Sequence, residues 1–491
     1  MGKKFLNIFL SSLICASLIT TPVFAVPAEE TVTTEEKVDE SPDENGHYSV
    51  EYTHDIEPDT NKLPNWPKGP LINSESAILM DMETGEILYS KSPYKKQYPA
   101  SITKLLTVLV ALEYVQPGDT VKFSQASIDF LKEGDAHIAM QPGEVISIED
   151  ALYAVLFASA NEVSYAVAEN VGEKYLNGGY NEFIEKMNEK SKELGCENSH
   201  WANANGLHDE EHYTSAYDMA LIGAEIYKQP LFNEMMEEFQ HEIPPTNLVD
   251  EPRVFQQHHK MTWKNGKYYY ENCKGGKTGY TDNAQTTLVT LADDGERQFV
   301  AVILYDRGGE AYNQTRALFD YGYGKFKKVK LSDINENSDI ESYVDPEASI
   351  SLPDKLNISA LDEHITADIN NEGRGRVIYT YKKNPLGSFE VELTDDAYKK
   401  YVGDKELRPD KILDDGDKEA SEKFKHTLMI SCIVVIVLIL VVFTVFIIKL
   451  HMYRKRKRLR AKRARMRKAS NMSGKRPNEE VRTIKKKNKR R

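Results

Sequence analysis

From Leu105 to Leu112 the chain reads Leu-Leu-Thr-Val-Leu-Val-Ala-Leu, and a helix built from these residues has almost no polar face. Such a helix has to be enclosed on every side, so the fold must wrap layers around it. Pro99-Ala100 precedes it, and Ser101-Ile102-Thr103-Lys104 leads directly into it. The first turn of a helix carries unpaired backbone N–H groups and the positive end of the helix dipole. A serine there, with a lysine one turn on and facing the same way, has the makings of a nucleophile and its base.

Ser-x-x-Lys is a loose pattern, and Ser92-Pro93-Tyr94-Lys95 matches it too. Pro93 inside that match, with no apolar run behind it, argues against a helix there, whereas Ser101 opens one. To act as a base Lys104 must be neutral, although a free lysine titrates near about 10.4. Burial and a second positive charge would lower it, and Lys277 is the candidate for that charge.

Two more short patterns accompany the first. Ser159-Ala160-Asn161 lies 58 residues after Ser101 and interrupts an apolar helical pattern at 148–171. Polar residues at that point suggest a kink or a loop facing a cleft. Read alone, they are more simply a small-residue contact between helices. Lys277-Thr278-Gly279 lies another 118 residues on, after Gly275-Gly276 and ahead of an alternating run at 286–291. Lys264-Asn265-Gly266 and Lys274-Gly275-Gly276 are chance rivals, but only the Lys277 pattern leads into a strand. A peptide can add to a sheet edge there, and Gly279 lets its backbone come close.

Together, and in this order, the three patterns resemble the signature of penicillin-binding proteins and serine β-lactamases. The likeness to the low-molecular-mass penicillin-binding proteins of the serine D-alanyl-D-alanine carboxypeptidase type goes further. It includes the hairpin pattern at 77–89, Tyr98-Pro99-Ala100 before the serine, Asn205-Gly206-Leu207, and His212-Tyr213-Thr214-Ser215-Ala216. It also includes Gly276-Lys277-Thr278-Gly279-Tyr280-Thr281, and covers about 71–401. The resemblance implies Ser101 as nucleophile and Lys104 as general base. It implies Ser159 as proton relay to the leaving amine and Asn161 as a hold on Lys104 and the substrate amide. Lys277, Thr278 and Gly279 would bind the substrate, the first two at its terminal carboxylate. The implied substrate is a peptidoglycan stem peptide ending in D-Ala-D-Ala, β-lactams would acylate Ser101, and no cofactor is required. A β-lactamase shares the motifs but commonly needs an extra glutamate for deacylation, which the residues between the second and third motifs do not identify. A transpeptidase or endopeptidase uses the same side chains, and a silent wall-binding module would be more credible had one of them been missing.

The expected fold is α+β, an antiparallel sheet with an inserted helical subdomain, then a small all-β domain and a C-terminal transmembrane helix. Residues 71–328 form the peptidase domain and 329–402 the all-β domain, read from short alternating runs separated by Pro, Gly, Asn and Asp. Residues 1–25, with Lys3 and Lys4 before an apolar stretch and Val23-Phe24-Ala25 behind it, read as a signal peptide. The acidic stretch at 26–70 reads as a disordered or extended leader, and 403–426 as a charged linker. Residues 427–448 carry no charge, and 22 residues of helix reach roughly 33 Å. From Lys449 to Arg491 there are 21 Lys and Arg against two Glu. That places the tail in the cytoplasm and everything before the span outside, with the tail touching anionic lipid rather than nucleic acid. The remainder then holds 42 basic and 74 acidic residues.

Outside those segments only Cys196 and Cys273 remain, open to pairing once or to staying buried thiols. His208-Asp209-Glu210-Glu211-His212 imitates a zinc-peptidase pattern, but the loop-forming Asn203-Ala204-Asn205-Gly206 before it denies the histidines a common helix.

Overall fold

The computed structural model describes residues 47, 49–402 and 462–466. The signal segment, about half of the leader, the linker, the apolar run at 427–448 and nearly all of the basic tail lie outside the described residues. No helix among the described residues is long and apolar enough to cross a membrane.

Helix α1 (Val50–Asp55) precedes a hairpin of β1 (Ser76–Asp81) and β2 (Ile87–Lys91). A helical block follows, with α2 (Lys104–Leu112), α3 (Ile148–Leu156), α4 (Asn161–Tyr175), α5 (Tyr180–Glu193) and α6 (Ala216–Tyr227). The chain then returns to the sheet as β3 (Cys273–Thr281), β4 (Gln285–Asp293) and β5 (Gln298–Asp306), and closes with α7 (Ala311–Lys325). The sheet runs β2-β1-β5-β4-β3, antiparallel throughout, with the helical block inserted between β2 and β3.

Side chains on a strand alternate between faces, so a sheet covered on both sides needs apolar residues at every position. Ile78, Met80, Val289, Leu291, Val300 and Val302 meet the helical block. Ala77, Leu79, Leu288, Phe299, Ala301 and Ile303 face α7 and the C-terminal strands. Helix α2 sits inside the first of these layers, with Leu105, Leu106, Val108, Leu109 and Val110 all fully buried. Its all-round apolar sequence is thereby accounted for.

Beyond α7 come β6 (Phe326–Lys330), β7 (Ile340–Tyr343), β8 (Ser349–Pro353), β9 (Asp362–Ala367), β10 (Arg374–Tyr381) and β11 (Asn384–Leu393). Four of them form an antiparallel sheet ordered β7-β11-β10-β9, while β6 pairs with β8. Two details differ from the sequence reading. The expected boundary at 328/329 falls inside β6, whose Phe326-Lys-Lys-Val-Lys alternation continues directly from α7 without a turn residue to mark it. The all-β segment also ends in a helix, α8 (Asp395–Tyr401). Thr394 caps it by accepting from the Ala397 N–H, with Asp395 and Asp396 in the first turn and Lys399 and Lys400 in the last, each suiting the helix dipole.

The leader differs more. Its last part, read as disordered or extended, carries α1 and a short 3-10 turn at Asp59–Lys62 and packs along edge strand β2. Trp66 is buried and donates from Nε1 to the Leu88 carbonyl at 3.0 Å. Tyr381 of β10 donates to the Pro64 carbonyl at 2.7 Å, fastening the same segment to the C-terminal strands. Composition misses this because one tryptophan and a few backbone bonds hold the segment, not an aliphatic periodicity. Trp66→Ala is expected to cost about 3–5 kcal/mol in denaturant unfolding, the range for large aromatics lost from a core.

The C-terminal strands are also tied to the peptidase domain through Glu86. Its Oε2 accepts from the Ser351 N–H at 2.7 Å, while Oε1 is buried without a partner among the described residues. Burial, and then the charge of Asp81, holds its carboxyl well above the ordinary range. A raised carboxyl value means the folded state binds the proton more tightly. The resulting stability is fully present below the unfolded value, about 4.3, and is lost as pH rises through the folded one. Glu86→Gln should flatten that pH dependence and gain on wild type steadily as pH rises, which thermal unfolding over a pH series will read.

Candidate active site

Ser101 stands in a short 3-10 turn, Ala100–Thr103, that runs straight into α2. Lys104, the first residue of α2, is fully buried. Its Nζ lies 3.1 Å from Ser101 Oγ, 2.7 Å from Asn161 Oδ1 and 2.5 Å from the Asn205 carbonyl. The last two partners can only accept. A neutral amine has two N–H groups and one lone pair, so it satisfies both acceptors and turns the lone pair to the only partner with a hydrogen to give, the Ser101 hydroxyl. Burial, and then the charge of Lys277, pushes the Lys104 amine well below its ordinary value. Geometry and electrostatics therefore agree on a lysine prepared to take a proton from Ser101.

The second motif sits at the break between two helices. Helix α3 stops at Leu156, Ser159 adopts a positive φ of 57°, and α4 begins at Asn161. This turn aims Ser159 and Asn161 at the same cleft. Ser159 Oγ accepts from Lys277 Nζ at 3.0 Å, and Lys277 also donates to the Thr278 carbonyl at 2.9 Å. Burial lowers the Lys277 amine to about 7.

Lys277, Thr278 and Gly279 lie on β3, the last strand of the sheet, whose outer edge pairs with no further strand among the described residues. Gly279 is needed for proximity. A Cβ there would stand 2.4 Å from Thr287 Oγ1 and 2.8 Å from Ser101 N. The strand thus approaches the serine as closely as a backbone can.

All seven residues singled out from the sequence lie together, joined by the bonds and close approaches just given. The decoys do not share those bonds. Lys95 Nζ donates to Glu75 Oε2 at 2.6 Å, turned to a carboxylate at the start of β1. His212 has both ring nitrogens engaged, with the Ala202 N–H and with Thr103. Cys196 and Cys273 are both free, and burial raises each thiol, Cys273 to about 12. Sequence reasoning missed three contributors. The Asn205 carbonyl is a backbone group and carries no side-chain signal. The loop at 131–140 lies beside the second motif, where the Asn161 N–H donates to the Ala136 carbonyl at 2.8 Å. Glu162, raised by burial, accepts from the Ile138 N–H at 2.7 Å and pins the same loop. In sequence it is simply an acidic residue in the first turn of a helix.

Residues 64–308 match the model of a family described as D-alanyl-D-alanine carboxypeptidase. That stretch belongs to this family. The D-alanyl-D-alanine carboxypeptidase DacF of Bacillus subtilis is 30% identical over 274 residues, covering 54% of this chain and 65% of the relative. DacD of Escherichia coli is 28% identical over 288 residues, covering 55% and 68%. The chain thus spans just under two thirds of its Bacillus relative. Among solved structures, a D-alanyl-D-alanine carboxypeptidase from Mycobacterium tuberculosis covers 55% of this chain and 96% of its own, at 25% identity and a TM-score of 0.47. The family match contains every residue of the cleft described above and ends before β6.

Proposed function

We propose that this protein is a serine D-alanyl-D-alanine carboxypeptidase that trims the terminal D-Ala from peptidoglycan stem peptides through an acyl-enzyme. The observation that carries the reading is the environment of Lys104 Nζ, within hydrogen-bond reach of Ser101 Oγ and of two groups that only accept.

Ser101 Oγ attacks the carbonyl of the penultimate D-Ala as Lys104 removes its proton. Backbone N–H groups of Ser101 and near Tyr280 receive the developing oxyanion. Asn161 holds Lys104 and the substrate amide. Lys277 and Thr278 hold the terminal carboxylate as the peptide lies along β3, with Gly279 giving its backbone room. Ser159, bonded to Lys277, passes a proton to the departing amine, and water then releases the shortened peptide from Ser101. β-Lactams enter the same path and stop at the acyl stage. None of these steps calls on a cofactor.

The apolar run at 427–448 and the basic residues behind it support a single membrane pass, with 71–402 on the outer face beside the wall and the tail in the cytoplasm. Residues 1–25 fit a cleaved export signal.

Mass spectrometry of the full-length protein in detergent, after brief exposure to a penicillin, tests the chemistry. The expected result is one adduct on Ser101 that persists for many minutes. Adduct on another residue would contradict the assignment, and rapid turnover of penicillin without D-Ala release from a stem peptide would point to the β-lactamase.

A further inference from the structure

Ala100, the residue before the nucleophile, has a φ of +50°, a conformation that a residue with a side chain adopts only when its surroundings impose it. Two groups close on its carbonyl oxygen. Gly206 is pressed so near that a Cβ there would stand 1.9 Å from Ala100 O. From within the turn, Thr103 Oγ1 donates to the same oxygen at 2.8 Å.

Thr103 does not act alone. Its Oγ1 is 2.8 Å from His212 Nε2, and both residues are buried, Thr103 completely and His212 to within 1%. The direction of the chain follows from its donors. The Ala202 N–H donates to His212 Nδ1 at 3.0 Å, so Nδ1 carries no hydrogen and the neutral ring's one proton sits on Nε2. Thr103 has already directed its hydrogen at Ala100, so it accepts from Nε2–H. Burial holds the imidazole down to about 3, so the ring is neutral wherever the enzyme works. The bonds therefore run one way, from the Ala202 N–H through imidazole and hydroxyl to the Ala100 carbonyl. Each donor in such a chain polarises the next.

The peptide joining Ala100 to Ser101 is planar and trans, so its C=O and N–H point in opposite directions. Fixing the Ala100 oxygen fixes the aim of the Ser101 N–H. That nitrogen lies against β3, within 2.8 Å of where a Cβ on Gly279 would be. We infer that His212 and Thr103 are positioning residues, which aim the Ser101 N–H at the point where the substrate's oxyanion forms. This rests on the function proposed above, in which that N–H is one of the oxyanion donors. The histidine of the zinc-like decoy thus acquires a role through the residue between the serine and the lysine.

Removing an oxyanion donor outright lowers kcat by about 100-fold to 1,000-fold, and mis-aiming one should cost about 10-fold to 100-fold. Three single variants and one double variant of the full-length protein test this. Thr103→Val keeps the shape and breaks both bonds. His212→Ala removes the outer donor. His212→Gln offers an amide N–H within reach of Thr103. The double variant joins Thr103→Val to His212→Ala. Readouts are kcat and KM for D-Ala release, thermal midpoint, and affinity for a boronic acid whose tetrahedral adduct on Ser101 places an oxygen between the oxyanion donors.

The expected result is a kcat lowered at least tenfold in Thr103→Val and His212→Ala, with KM within twofold and boronate affinity falling in parallel. His212→Gln should recover most of the loss. The double variant should be no worse than Thr103→Val, because His212 acts through that hydroxyl. Wild-type kcat in folded Thr103→Val, or losses that multiply in the double variant, would overturn the inference while leaving the proposed function intact. So would His212→Gln that folds like wild type yet is as slow as His212→Ala, the mark of a merely structural histidine. If His212→Ala does not fold, the Thr103→Val and His212→Gln results decide it. A wild-type protein that neither released D-Ala nor took up penicillin would remove the function itself, and the inference with it.

Discussion

Lys104→Ala should lower the rate at which Ser101 is acylated by about 100-fold to 10,000-fold, the range that a positioned general base contributes. The alanine leaves the Ser101 hydroxyl with no acceptor for its proton and deprives Asn161 Oδ1 and the Asn205 carbonyl of their shared donor. Stopped-flow acylation by a fluorescent penicillin reads the effect directly. The fold should survive, because truncation removes a buried amine whose charged form burial disfavours. A thermal midpoint near that of wild type, with acylation nearly abolished, is the expected pair of results. Acylation within tenfold of wild type would mean that some other group takes the proton.

Lys277→Gln is expected to be less damaging, but its pH dependence is more informative. In wild type, kcat/KM should rise with pH as Lys104 loses its proton, then fall as Lys277 loses its own near pH 7. A bound carboxylate keeps Lys277 charged, so the alkaline limb of kcat should lie at higher pH than that of kcat/KM. Glutamine removes the positive charge that helps hold Lys104 down, so the Lys104 value rises and the acid limb moves to higher pH. The alkaline limb disappears with its lysine. Losing one charge-assisted hold on the carboxylate, at about 1.5–3 kcal/mol, should lower kcat/KM by about 10-fold to 150-fold at the optimum. A variant whose acid limb stays in place would show that the two lysines do not interact.

Much of the site was legible because its chemistry lies in side chains set at readable positions. Ser101 and Lys104 are one turn apart at the entry to a helix whose composition demands burial, and that helix is buried. Ser159 and Asn161 are polar residues breaking an apolar helical pattern, and the break is a turn with a positive φ. Lys277 precedes a clear strand pattern and lies on the sheet's edge strand. What stayed hidden is carried by backbone atoms and by long-range contacts. The Asn205 carbonyl, the 131–140 loop and the Gly206 approach to Ala100 leave no periodic signature. His212 was visible as half of a misleading metal pattern and within a stretch that carries the family resemblance, neither of which gave it a role, since its true partner lies 109 positions away. The leader's folded end was missed for a related reason. Trp66 and its bond to Leu88 give a polar, proline-rich stretch its structure, and no count of aliphatic residues reveals that.

One assay bears most directly on the proposed chemistry. Full-length wild-type and Ser101→Ala proteins are incubated with a peptide ending in D-Ala-D-Ala, and free D-Ala is followed over time. Steady release by wild type and none by Ser101→Ala is the predicted outcome. Release that persists in Ser101→Ala, at a rate near that of wild type, would contradict the assignment of Ser101 as nucleophile and with it the carboxypeptidase mechanism.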